Sequence, residues 1–132
     1  AKMLGDVLVV GINSDRSARR LKGKHRPINT EQDRMALVAA LEPVDYVVLF
    51  DEDTPVEAIR ALRPDVHVKG GDYAGQELPE AEAVREGGGR VEIVPLIGRQ
   101  STSDVIDRIL HLAALPQRNG MVEVPTAMGV ER

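Results

Sequence analysis

An α/β fold built on a parallel sheet is predicted by three features of the sequence. Residues 7–12 (Val-Leu-Val-Val-Gly-Ile) contain no polar side chain, as expected of a strand covered on both faces. Apolar runs of strand length then alternate with segments of helical period, the pattern of βαβ units. Glycine, proline and helix-capping residues fall between them, so element ends are marked as well as interiors.

The first strand is expected over Val7 to Ile12. Ser14 or Asp15, favoured N-cap residues, would open a short helix over Ser14 to Leu21, followed by a basic loop at residues 22–27. Thr30 ahead of Glu31-Gln-Asp33 has the form of a capping box, and Met35, Val38 and Leu41 recur at helical spacing. A second strand is expected over Val44 to Phe50. Thr54-Pro-Val-Glu57 combines an N-cap threonine, proline at the first helical position and a capping-box glutamate. Val56, Ile59 and Leu62 would form its buried stripe, and Pro64 would end it.

Val66 to Lys69 reads as a third strand, and a helix from about Gln76 to Glu86 is stopped by Gly87-Gly-Gly89. Arg90 to Leu96 reads as the fourth strand. A final helix is expected from Thr102 or Ser103 to Leu115, with Val105, Ile106, Ile109, Leu110 and Leu112 filling its apolar face. Beyond Pro116 the periodicity breaks at Asn119-Gly120, Pro125 and Gly129. The organisation is therefore one domain over residues 1–116 and an irregular tail over 117–132, with Met121 to Val124 as a short extended piece.

Composition narrows the function. The chain has 132 residues, 42% of them apolar, and a formal net charge of -4. No overall basic field exists to hold nucleic acid, and the only aromatics, Tyr46, Phe50 and Tyr73, do not make a base-stacking platform. The absence of cysteine excludes disulfides, thiolate nucleophiles and cysteine-ligated zinc. No apolar run approaches the ~18 residues of a membrane span, and no charged-then-apolar leader opens the sequence, so the expected location is the cytoplasm.

Four polar clusters fall at expected strand ends, where a parallel sheet gathers its ligands. Gly11-Ile-Asn13-Ser-Asp15 could bring backbone close to a phosphate or sugar, with Asp15 accepting from a substrate hydroxyl; a plain helix cap accounts for it equally well. Arg19, Arg20, Lys22, Lys24, His25 and Arg26 form the one dense basic patch of an acidic protein. They are suited to phosphate charge, against the alternative of a solvated loop. Lys69, Gly70, Gly71, Asp72 and Tyr73 follow a strand directly: Lys69 could meet a phosphate, Asp72 a sugar hydroxyl, and Tyr73 a base or sugar. A glycine turn is the simpler account. Arg99, Ser101, Thr102 and Ser103 precede the last helix and make a natural anion site at its positive end, although capping explains the hydroxyls too. His67, between two valines, reads as structural. Metal-ligand clusters, nucleophilic triads and a Walker loop are missing from the sequence.

Taken in order and spacing, Val10-Gly-Ile-Asn-Ser-Asp15, Arg20-Leu-Lys-Gly23, Arg26-Pro-Ile-Asn29, Asp33-Arg34, Val44-Asp-Tyr-Val-Val48, Phe50-Asp-Glu-Asp-Thr-Pro55, Arg63-Pro-Asp65, Val68-Lys-Gly-Gly-Asp-Tyr73 and Arg99-Gln-Ser-Thr102 resemble the nucleotidyltransferase domain of bacterial ADP-heptose synthases, in the cytidylyltransferase-like superfamily. The resemblance covers about Ala1 to Leu115. It implies a Rossmann-like fold and transfer of an adenylyl group from ATP to a heptose 1-phosphate, releasing pyrophosphate with Mg2+ assistance. It implies a nucleotide and phosphate site at Gly11, Lys22, Arg34, Arg99, Ser101 and Thr102. The sugar-phosphate site would comprise Asn13, Asp15, Lys69, Gly70, Asp72 and Tyr73. Homodimers are common in the superfamily and are the expected assembly.

The sequence departs from the pattern at one place. The family's His-x-Gly-His signature, which follows its first strand, has no match: the histidines are His25, His67 and His111. Residues 1–6 look like the end of the helix after that signature, so the first strand, central in the family's sheet, is expected to be lacking and no catalytic residue is assigned. Alternatives to the adenylyltransferase are a nucleotide- or sugar-phosphate-binding module without catalysis, and a cytidylyltransferase acting on glycerol phosphate.

Overall fold

A computed structural model describes residues 1–71, 78–95 and 101–114. The chain divides into two compact units, Ala1–Leu96 and Ile97–Arg132. The first contains β1 (Val9–Asn13), α1 (Asp15–Lys22), α2 (Glu31–Ala39), β2 (Tyr46–Phe50), α3 (Val56–Leu62), β3 (Val66–Gly70), α4 (Ala81–Glu86) and β4 (Arg90–Val94), after a single 3-10 turn at Lys2–Leu4. The second contains α5 (Thr102–Ala114). The α/β class and parallel pairing expected from the sequence are present.

Pairing occurs in two separate sheets. β1 runs parallel to β2, from Val9 opposite Tyr46 to Asn13 opposite Phe50. β3 runs parallel to β4, from Val66 opposite Arg90 to Gly70 opposite Val94. Among the described residues no strand joins the two pairs. Met121 to Val124, the other segment with strand character, lies outside the described residues, as does the whole 117–132 tail.

Local chemistry explains where elements start and stop. β1 begins two residues later than expected because the Asp45 carboxylate takes the Leu8 N–H at 2.7 Å, while Leu8 O accepts from Asp45 N and Tyr46 N at 3.0 and 3.1 Å. Ser14 caps α1, its Oγ accepting from Ser17 N at 3.0 Å. Thr30 caps α2 in the same way, with Asp33 N at 3.2 Å. Thr54 does not cap α3, whose N-cap is Pro55 without a side-chain bond. α4 starts at Ala81 rather than near Gln76, because Pro79 disfavours helical conformation at the residue before it and Leu78–Glu80 close a turn instead.

The apolar core lies in the second half of the first unit. Ile59, Ala83 and Val84 are buried together, with Val56 and Val91 packed against them; Leu62, expected in the same stripe, is exposed. Gly89 makes this packing possible, since a Cβ there would stand 2.2 Å from Pro64 O. α3 ends at Arg63, whose φ of 50° is left-handed, with its N–H bonded to Ile59 O. α2 buries no residue. Nor does α5, on which Val105, Ile109, Leu110 and Leu112 are exposed. Among the described residues no helix is long and apolar enough to cross a membrane.

Candidate functional site

Among the described residues, the C-terminal end of β1 carries a dense polar network. Asn13 is the last residue of the strand and donates through Nδ2 to Ser17 Oγ at 3.0 Å. Ser14, 7% exposed, bonds through its hydroxyl to Asp51 Oδ1, while Ser17 Oγ donates to Glu52 O at 2.8 Å. Two arginines of α1 hold the same acidic loop: Arg16 Nε donates to Asp51 Oδ1 at 3.1 Å, and Arg20 Nε to Asp53 Oδ1 at 2.8 Å. Arg20 is thus committed to a carboxylate, which removes one member of the expected phosphate-facing patch.

Asp15 is held from two sides. Its N–H donates to Glu31 Oε2 at 2.7 Å, and its carboxylate accepts from Arg34 Nη2 at 2.8 Å, both side chains being about one-fifth exposed, 20% and 23%. The Arg34 hydrogen bond keeps the Asp15 carboxyl below the ordinary aspartate range, against the opposing effect of burial. An ionised carboxylate is an acceptor only. Asp15 is therefore suited to bind a hydroxyl and not to deliver a proton.

A second polar cluster lies on β3. His67 and Lys69, two apart on the strand, share one face and converge on Glu80, which is 1% exposed. Lys69 Nζ bonds to Glu80 Oε1, and His67 Nε2 lies 3.5 Å from the same oxygen without a hydrogen-bond partner of its own. Burial, the largest single effect, pushes the Glu80 carboxyl upward, but the Lys69 hydrogen bond and charge, together with a backbone hydrogen bond and His67, leave the group below its ordinary value. At the start of α5, Ser101 and Asp104 form a reciprocal capping box, with Ser101 N to Asp104 Oδ2 at 3.2 Å and Asp104 N to Ser101 Oγ at 3.1 Å.

The profile of cytidylyltransferase-like domains matches residues 1–121. The chain belongs to the cytidylyltransferase-like family. It is 54% identical over 110 residues to the bifunctional protein HldE of Syntrophotalea carbinolica, covering 83% of this chain and 22% of that protein. It is 51% identical over 111 residues to HldE of Pelobacter propionicus, covering 84% and 23%. The chain therefore spans less than a quarter of the length of these relatives. Among solved structures, the lipopolysaccharide core biosynthesis protein of Thermoplasma volcanium is similar with a TM-score of 0.55 and 34% identity, over 75% of this chain and 80% of that one.

Within this cytidylyltransferase-like domain, Asn13, Asp15 and Arg34 come together at the β1–α1 junction, with Lys22 exposed at the last position of α1. Gly11 lies in mid-strand, where a Cβ would meet the Phe50 ring at 3.3 Å; packing accounts for this glycine. Lys69 and Gly70 end β3. Ser101 caps α5 and Thr102 is its first residue, in the other unit. Asp72, Tyr73 and Arg99 lie outside the described residues. Glu31 and Glu80 were not legible as site residues: both read as helix positions, and no sequence signal marks a glutamate for burial. Among the described residues no group of three or more His, Asp or Glu is arranged to hold a metal ion, and the Asp15 carboxylate is already taken by Arg34. These residues do not fit a resident Mg2+ site.

Proposed function

We propose that the chain is the nucleotidyltransferase part of a sugar-phosphate activating enzyme, moving an adenylyl group from ATP to a heptose 1-phosphate. The observation that carries this reading is the identity of about one residue in two to HldE proteins over 110 residues, within a domain of the cytidylyltransferase-like family. In the reaction, an oxygen of the acceptor phosphate forms a bond to the α-phosphorus of ATP, the bond from that phosphorus to the α–β bridging oxygen breaks, and pyrophosphate leaves. The chemistry asks for alignment and charge neutralisation rather than a protein nucleophile.

The residues divide that work by chemistry. Lys22, exposed at the end of α1, supplies a mobile cation for the triphosphate. Asp15, ionised and fixed by Arg34 and Glu31, accepts from an acceptor hydroxyl, and Lys69 meets the acceptor phosphate. Mg2+ would travel with the nucleotide phosphates, and no step here depends on a protein ligand to it. In the assay, the protein is incubated with heptose 1-phosphate and each nucleoside triphosphate, and pyrophosphate is measured. Release with ATP alone supports the proposal, and release only with CTP and glycerol phosphate assigns the cytidylyl alternative. No release with any triphosphate would falsify catalysis and leave a binding module. In the active protein, Lys22→Ala should lower kcat/KM about 10²-fold with an unchanged melting temperature; a large drop in melting temperature would give Lys22 a structural role.

A further inference from the structure

Glu80 has properties that neither stability nor helix capping accounts for. It stands at the N-cap of α4, yet its side chain makes no capping bond. The carboxylate instead reaches back 11 residues to Lys69 on β3, while the residue itself is almost wholly buried at 1% exposure. A buried carboxylate is costly unless paired, and an apolar residue of similar size commonly serves stability as well or better. What a carboxylate adds is direction: it fixes where a flexible lysine holds its ammonium.

The position of Lys69 gives that direction a use. Its side chain is 31% exposed, so it links a buried anion to the surface, at the end of a parallel strand and just before Gly70 and Gly71. The C-terminal ends of parallel strands are where ligands bind. An ammonium has three N–H donors, so a lysine can hold a carboxylate and other partners together. His67 flanks the arrangement: its buried Nε2 lies 3.5 Å from the same Glu80 oxygen.

We propose that Glu80 is a positioning residue that holds Lys69 in place for the phosphate of the acceptor sugar, a role that rests on the nucleotidyltransferase reading above. The test compares wild type, Glu80→Gln, Lys69→Met and the double variant in the intact protein, by pyrophosphate release and by calorimetric binding of heptose 1-phosphate. Glu80→Gln should raise the acceptor KM and Kd about tenfold, leaving kcat and the KM for ATP within twofold. The double variant should be no worse than Lys69→Met, because both substitutions remove one interaction. Effects that multiply in the double variant, or equal losses for both substrates, overturn the proposal. If Glu80→Gln does not fold, Glu80→Asp takes its place: it keeps the charge but retracts it by one methylene, and an unchanged acceptor Kd in that variant also overturns the proposal. A wild type that binds the sugar phosphate without turning it over refutes the catalytic reading alone, since the Kd comparison still decides the role of Glu80. A wild type that binds none refutes both.

Discussion

The two halves of the first unit are held together by different forces. Around β3 and β4 the interior is mainly apolar, the buried Glu80 excepted: Ile59, Ala83 and Val84 bury one another, and Val56 and Val91 complete the cluster. Around β1 and β2 the buried positions are Ile12 and Ala18 with two serines, Ser14 and Ser17, and α2 contributes nothing buried. There the contacts are hydrogen bonds and ion pairs from α1 to the acidic loop after β2 and from Asp15 to Arg34 and Glu31. The half with the richer polar network is also the half with most of the described candidate site residues.

Breaking the apolar half should cost most. Ile59→Ala removes a side chain 5% exposed at the centre of the cluster and should destabilise the fold by about 2–5 kcal/mol, read as a shift in the denaturant midpoint. In the polar half the largest single loss should come from Ser14→Ala, which removes the α1 cap and the hydroxyl bonded to Asp51. About 0.5–2 kcal/mol is expected, and a value matching that of Ile59→Ala would erase the contrast between the halves. Acid provides the finest discrimination. Because the Asp15 carboxyl is held below its ordinary value of 3.8 by Arg34, the pair contributes its full stability above that pH and loses it as pH falls further. The stability difference between wild type and Arg34→Met should therefore be constant from neutrality down to about pH 4 and vanish below; a difference unaffected by acid would mean that the pair does not act through charge.

Much of the fold was readable from the sequence, for reasons that differ by element. β1, β2, β3 and β4 were found because β-branched runs bounded by turn residues have few other uses, and the Ser14 and Thr30 caps because a hydroxyl before a helical stripe has a definite partner. The errors came where a side chain or a proline overrode the local pattern. Asp45 took a backbone N–H of the expected first strand, Pro79 delayed α4, and Pro55 displaced Thr54 from the cap of α3. Among the described residues the four strands pair as two parallel sheets. Of the expected site residues, Asp15, Asn13 and Arg34 lie together at the β1–α1 junction. Their mutual bonds were not foreseen, because an ion pair between residues 15 and 34 depends on a tertiary fold that spacing does not encode. Glu80 was invisible for the same reason.

Arg63 offers the opposite opportunity to the packed cluster beside it. A residue with a Cβ pays ~1–2 kcal/mol to sit in left-handed backbone, and Arg63 does so at φ 50°, on the turn that delivers the chain from α3 to Pro64 and β3. The fold sustains that unfavourable geometry with its neighbours' packing. The turn is accordingly a reserve of recoverable stability: an asparagine there, at home in the left-handed region, would let the scaffold tolerate changes elsewhere that it could not otherwise absorb.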